Sequence, residues 1–186
     1  MRAARADYNL QRKPANESSI TSGIALHTGN LMLGVVGGHG RMDGTVVSDA
    51  VNLASRIEGL TKMYGTSIII SQDTLIKLQD PTRYNYRFLD VVKVKGKKEA
   101  VYIFEILDGE PEEIKKLKIE TKLDFGKAIQ LYKNKEFDGA MILFNKVLKI
   151  NPNDRAASLY IIRCKNILDF GIPEDWDGVE TIKDKY

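Results

Sequence analysis

The hydrophobic period of this chain changes once, at residues 108–113, and this change constrains the fold more than any other feature. Upstream of it, short apolar runs alternate with amphipathic segments, which is typical of an α/β (α+β) domain. Downstream, apolar residues recur at helical spacing throughout. The stretch itself (DGEPEE) is polar and contains glycine and proline. It therefore predicts a boundary between two structural units.

Residues 49–64 give the firmest prediction in the upstream half. Apolar residues recur there at helical spacing, Ser48 is a good N-cap, and Gly65 stands at the C′ position. The apolar runs 23–27 and 31–37 are separated by a short Gly/Asn turn, so we expect them to pair as a β-hairpin. Further predicted elements are a glycine loop at 37–40, extended segments at 42–47, 67–70, 86–94 and 100–107, and a short helix at 72–78.

The downstream half predicts three helices, at about 114–133, 137–149 and 154–168. Cys164 falls on the third helix, where we expect it to be a small buried hydrophobe. Trp176 belongs to an acidic tail at residues 171–186. The tail has two interpretations: Trp176 docks into a groove, or the end of the chain is disordered.

Composition excludes several classes of function. A single cysteine rules out an internal disulfide and a multi-cysteine metal cage. His27 and His39 lie in separate turn-like contexts, which argues against a histidine zinc site and makes His27 a structural turn residue. A net charge of only +3 argues against a nucleic-acid partner, because dedicated nucleic-acid binders usually carry a strongly basic face. No run approaches the ~20 apolar residues of a membrane span, so the chain as written is expected to be cytoplasmic.

Asn52 and Arg56 are the candidate catalytic residues. They are four positions apart near the start of the predicted helix, so both lie on one face. An amide and a forked guanidinium on that face can donate hydrogen bonds to a polyphosphate. The alternative for an isolated pair is that both side chains only solvate a surface helix.

Three ordered blocks decide between these interpretations: GIALHTG at 23–29, RMDGTVVSDAVNLASR at 41–56 and VKGK at 94–97. Together they resemble the class III nucleotidyl (adenylate/guanylate) cyclase catalytic domain, over residues 1–107. The resemblance implies an incomplete ferredoxin-like cyclase domain. It also implies that Asn52 orients the nucleotide sugar and that Arg56 stabilises charge on the α-phosphate. Lys95 would bind the β- and γ-phosphates, and Thr45 would read the purine, favouring ATP.

The resemblance also implies a pair of Mg²⁺ or Mn²⁺ ions held by two aspartates on strands that precede Gly23. Only 22 residues precede Gly23 here, and no carboxylate pair is found among them, so no metal ligand is assigned. We therefore expect Met1 to be an internal methionine of a longer cyclase or the start of a truncated gene. Family members work as dimers in which one subunit supplies the aspartates and the other the Asn/Arg pair. The expected partners are ATP and a second copy or complementing cyclase subunit.

Residues 121–154 resemble one tetratricopeptide repeat, with small or aromatic residues at Ala128, Ala140 and Phe144 and a turn proline at Pro152. The predicted organisation is a cyclase part at 1–107, a linker and helix start at 108–120, tetratricopeptide-like helices at 121–170 and the tail. The ending resembles tails of bacterial cyclases with a membrane-anchored N-terminal sensor. Such a repeat implies a protein partner.

Two functions follow. The first is the C-terminal part of a bacterial adenylate cyclase, which converts ATP to cyclic AMP and diphosphate for signal transduction and is inactive alone. The second is a non-catalytic nucleotide-binding or protein-interaction module that uses the helical repeat.

Overall fold

An α/β region with a mixed sheet comes first in the chain, and three packed helices follow it, as the change of period predicts. The computed structural model describes residues 2–12, 17–20, 22–38, 41–94 and 100–182. The helices are α1 (Arg2–Arg12), α2 (Asp49–Tyr64), α3 (Gln72–Leu75), α4 (Glu112–Lys133), α5 (Phe137–Ile150) and α6 (Arg155–Phe170). The strands are β1 (Ile24–Leu26), β2 (Met32–Gly38), β3 (Arg41–Val47), β4 (Ile68–Ser71), β5 (Tyr86–Val94), β6 (Ala100–Ile106) and β7 (Glu180–Ile182).

The main sheet has the strand order β1-β4-β6-β5-β7, and β2 and β3 form a separate two-stranded sheet. The predicted hairpin between β1 and β2 is therefore wrong. β1 pairs in parallel with β4, which follows it after the α2 crossover, whereas β2 pairs over its full length with β3. The predicted loop at 37–40 is also corrected in part, because Gly37 and Gly38 belong to β2. His39 and Gly40 lie outside the described residues.

Helix α2 begins and ends where its sequence predicts. The Ser48 side chain accepts a hydrogen bond from the Ala50 N–H at 2.9 Å, which satisfies one of the free donors of the first turn. At the other end, Gly65 adopts φ 63°, and its N–H reaches the Thr61 carbonyl. A left-handed residue at this position ends the helix and turns the chain toward β4.

One cluster of buried apolar side chains runs from α2 through the sheet into α4, α5 and α6. On the helical side its centre is aromatic: the Phe144 and Tyr160 rings stack with centroids 5.0 Å apart, and Phe125 meets both edge-on. Cys164 is fully buried in this cluster, as predicted, and burial raises the pKa of its thiol to about 11.

The C-terminal tail is docked. The Trp176 ring lies edge-on to Tyr132 and Phe137, with both centroid distances 5.5 Å, and β7 adds to the sheet beside β5. Of the two interpretations of the tail, docking is therefore confirmed for the described residues. None of the described helices is long and apolar enough to cross a membrane.

Candidate cyclase site

The candidate site is built on the first two turns of α2. Asn52 is exposed, and Arg56, one turn later, is half-buried. The residues that follow each of them, Leu53 and Ile57, are buried in the core. The buried stripe therefore holds the helix against the sheet and leaves Asn52 and Arg56 together along its edge, as their spacing predicts.

The loop before β2 is fastened to the start of this helix. The Ser48 hydroxyl donates to the Asn30 carbonyl at 2.7 Å. Gly29 lies so close to α2 that an added Cβ would stand 2.8 Å from the Ala50 Cβ, so only glycine fits without movement. His27 shares a hydrogen bond of 2.8 Å with the Ser71 hydroxyl. The His27 contact, which reaches the end of β4, supports the structural role predicted for His27, and the Ser48 and Gly29 contacts fix the first turn of α2.

Thr45 and Lys95 are the two predicted substrate-binding residues. Thr45 lies on β3 opposite Gly34, and β3 leads through Ser48 directly into α2. The backbone therefore places Thr45 and the Asn52/Arg56 pair on consecutive elements of one strand–helix unit. Lys95 follows the last residue of β5 and lies outside the described residues.

The far end of α2 is held by a polar network that the sequence pattern did not reveal. The Tyr64 hydroxyl donates to the Asp90 carboxylate on β5, and Arg163 of α6 reaches both groups, at 2.6 Å to Asp90 and 3.1 Å to the Tyr64 oxygen. Burial, and then the Asp90 charge, raise the pKa of Tyr64 well above its ordinary value, so the phenol stays protonated. Asp90 is the sequence signal that could have predicted this network, because it interrupts the apolar run of β5 and a buried carboxylate needs a partner.

A second buried network joins the sheet to the helices. Arg87 on β5 contacts Glu105 on β6 and Asp154 at the start of α6, and Lys118 on α4 also binds Glu105. Burial disfavours the charge on Arg87, but the two carboxylates outweigh that cost and raise its pKa above the ordinary value. The sheet on which the Asn52/Arg56 helix packs is thus joined by buried ion pairs to α4 and α6, which follow the boundary at residues 108–113.

The comparisons with known proteins identify the domain. The model of the adenylate and guanylate cyclase catalytic domain matches residues 4–106. The chain belongs to this cyclase family. Three helices, α4 to α6, follow the matched cyclase domain.

Two curated relatives are similar over different lengths. The chain is 39% identical over 148 residues to the terminal-differentiation specific adenylate cyclase of Dictyostelium discoideum, a match that covers 79% of this chain and 7% of that protein. It is 49% identical over 101 residues to an adenylate cyclase of Anabaena cylindrica, covering 54% of this chain and 20% of that protein. The chain thus spans a fifth or less of these relatives. Among solved structures, the guanylyl cyclase Cya2 is 31% identical with a TM-score of 0.47, covering 57% of this chain and 52% of that one.

Cyclases of this family use divalent metal ions. Within the part of the chain that the structure describes, no three His, Cys, Asp or Glu side chains are grouped so that they could hold a metal ion. What the described residues do provide on α2 is the Asn52 amide and the Arg56 guanidinium, two hydrogen-bond donors.

Proposed function

We propose that this chain is the nucleotide-orienting part of an adenylate cyclase, which converts ATP to cyclic AMP and diphosphate. The observation that carries the proposal is the position of Asn52 and Arg56, one turn apart on the fixed N-terminal half of α2 in a domain that matches the cyclase family. The curated relatives are named as adenylate cyclases, which favours ATP over GTP.

In this proposal each residue acts on a separate part of the nucleotide. The Asn52 amide binds the ribose and directs the 3′-oxygen toward the α-phosphorus. As the 3′-hydroxyl gives its proton to water and its oxygen bonds to phosphorus, the bond to the diphosphate oxygen breaks and diphosphate leaves. Negative charge grows on the α-phosphate in this step, and the Arg56 guanidinium stabilises it. Thr45 contacts the adenine edge, since a hydroxyl can both donate and accept. Lys95 binds the β- and γ-phosphates of the leaving group.

We further propose that a second subunit completes the site. It is either another cyclase copy or a complementing subunit, and it supplies the carboxylates for the divalent ions. By itself the chain is then expected to bind nucleotide without cyclising it.

The helical half is proposed to be a tetratricopeptide-like unit at residues 121–170, with 108–120 as its linker and helix start. It is supported by burial at two positions where such a repeat needs a small residue: Ala128 on α4 and Ala140 on α5 are both fully buried. Phe144 and Val147 complete the same buried face. Such a unit offers a surface for a protein partner, beyond the cyclase domain.

Complementation tests the proposal. The chain is mixed with a cyclase subunit that retains the metal aspartates but lacks its own Asn and Arg, and cyclic AMP is measured with Mg²⁺ or Mn²⁺. Activity should appear in the mixture and fall ~10²–10³-fold with Asn52→Ala or Arg56→Ala, because each removes a transition-state donor. Lys62→Ala, an exposed change at the other end of α2, is the matched control. Full activity in both site variants would refute the assignment, and no activity in any mixture would favour the non-catalytic module.

A further inference from the structure

An open groove lies between α4 and one face of the β5–β6 hairpin, away from α2. Its volume is about 680 Å³. The sheet side is aromatic, with Phe88 and Phe104 edge-to-face at 5.5 Å and Tyr102 next to them, 45% exposed. The helix side carries Leu123, which is 77% exposed, and Gly126, around which there is open space. Apolar side chains on both walls thus face solvent.

Three lysines of α4 also line this groove: Lys122, Lys127 and Lys133. Among the residues that the structure describes, none of the three pairs with a carboxylate. Lys122 lies over the Tyr86 ring at 5.1 Å, and Lys133 lies over Phe88 at 4.7 Å and Tyr102 at 5.5 Å. Asp90 also attracts Lys133 from a distance, but no carboxylate of the described residues contacts the three lysines directly, so the complement of their positive charge is an anionic partner with apolar side chains.

An acidic segment of the chain itself, the C-terminal tail, already binds to a neighbouring surface through aromatic rings and lysines. Beside the groove, the acidic tail places Trp176 against Tyr132, with the Lys135 ammonium 5.8 Å from the indole. Asp177 of the same tail pairs with Lys93. The tail is thus held by aromatic rings and lysines together. The neighbouring groove also combines aromatic rings with lysines, and none of the described segments of the chain occupies it.

We propose that this groove, between α4 and the β5–β6 hairpin, binds an acidic, apolar-containing peptide segment of a partner protein in extended form. From Lys122 to Lys133 the helix rises ~16 Å, which matches about five residues of extended chain. Alternate side chains of such a segment can enter the aromatic wall and reach the lysines. A polynucleotide fits less well, because Lys122 and Lys133 already lie over ring faces that bases would need for stacking.

Fluorescence anisotropy tests the proposal with a defined probe, a fluorescein-labelled ten-residue peptide of alternating acidic (Asp, Glu) and apolar (Leu, Phe) residues. We expect saturable binding to the full chain, and about tenfold weaker binding to the double variant Lys122→Glu/Lys127→Glu, because two attractive charges become repulsive. The matched control is Lys116→Glu/Lys149→Glu, which makes the same charge change at exposed sites outside the groove. Leu123→Ser tests the apolar wall, and circular dichroism verifies that each variant is folded.

Several results would overturn the proposal. They are absence of binding, equal weakening by the control variant, and equal binding of a peptide with Lys at every acidic position. Tighter binding of a dT12 oligonucleotide that displaces the peptide would assign the groove to nucleic acid. Self-association of the chain that the groove variant abolishes would assign it to a second copy. The inference does not rest on the proposed nucleotide chemistry, because the variants leave α2 unchanged.

Discussion

Arg87 on β5 and Asp154 at the start of α6 form a buried two-point ion pair, with Nη1–Oδ2 and Nη2–Oδ1 distances of 2.7 and 3.1 Å. The same Asp154 carboxylate caps α6 by accepting from the Ala157 N–H at 3.2 Å. The Arg87 guanidinium also lies 4.1 Å from the centre of the Phe125 ring on α4. One side chain of the cyclase domain therefore contacts two helices of the C-terminal half.

Asp154→Ala should destabilise the chain by about 3–5 kcal/mol, because it leaves the buried Arg87 charge without one partner and removes a helix cap. Asp169→Ala, an exposed aspartate near the end of the same helix, should change stability by less than about 0.5 kcal/mol. Urea unfolding followed by circular dichroism measures both. Equal, small effects for the two variants would mean that the ion pair does not hold α6 on the sheet.

Acid should weaken the same junction. Burial alone would raise the pKa of Glu105 and of Asp154, but Arg87 outweighs it in both cases, with Lys118 helping, and both pKa values lie below the ordinary 4.5 and 3.8. The unfolded chain then binds more protons as the pH falls through these ordinary values. The stabilisation is therefore complete above that range and is lost as the pH drops toward the folded pKa values.

Urea unfolding at pH 7, 5 and 4 checks this dependence, and the free energy of unfolding should fall most between pH 5 and 4. Asp154→Asn, which cannot titrate, should show a shallower fall, whereas Asp169→Asn should keep the parent slope. A free energy that is constant or increases toward pH 4 would contradict the prediction.

Trp176→Ala should cost about 1–3 kcal/mol, because the partly buried indole packs on Tyr132 and Phe137 and its removal releases the tail from α4 and α5. Phe170→Ala is the matched control, since that ring is 87% exposed and should contribute less than about 0.5 kcal/mol. Thermal unfolding followed at 222 nm compares them without tryptophan fluorescence. A Trp176→Ala protein as stable as the control would show that docking of the tail is energetically neutral.

A glycine inside a helix and a glycine just after a helix end should respond to alanine with opposite signs. Gly126→Ala, inside α4 with open space around its Cα, should stabilise the chain by about 0.5–1 kcal/mol through helix propensity. Gly65→Ala should destabilise it by about 1–2 kcal/mol, because the residue has φ +63° and an added Cβ would lie 2.7 Å from the Arg155 Cβ. Paired denaturation curves test the difference, and effects of the same sign in both variants would be inconsistent with it.

Local patterns predicted most of the elements. Helix α2 was predicted with its cap and its end, and α4, α5 and α6 within a few residues, because helical period, N-caps and terminal glycines act within one or two turns. The juxtaposition of Asn52 and Arg56 follows from their spacing on such a helix. The partner of β1 was mispredicted, because strand pairing depends on residues that lie far apart in the sequence.

The amino-acid sequence by itself determined the cyclase family, the placement of Asn52 and Arg56 on one face of α2, and the change from sheet to helices at residues 108–113, which it marks by a change of hydrophobic period. The tertiary structure alone decided how the two halves meet. Asp90 and Arg87 are buried charged residues of the same strand, β5, and their partners Arg163 and Asp154 lie more than 60 positions away in the chain. Buried charges need such partners to offset the cost of leaving water, and only packing selects which distant groups supply them.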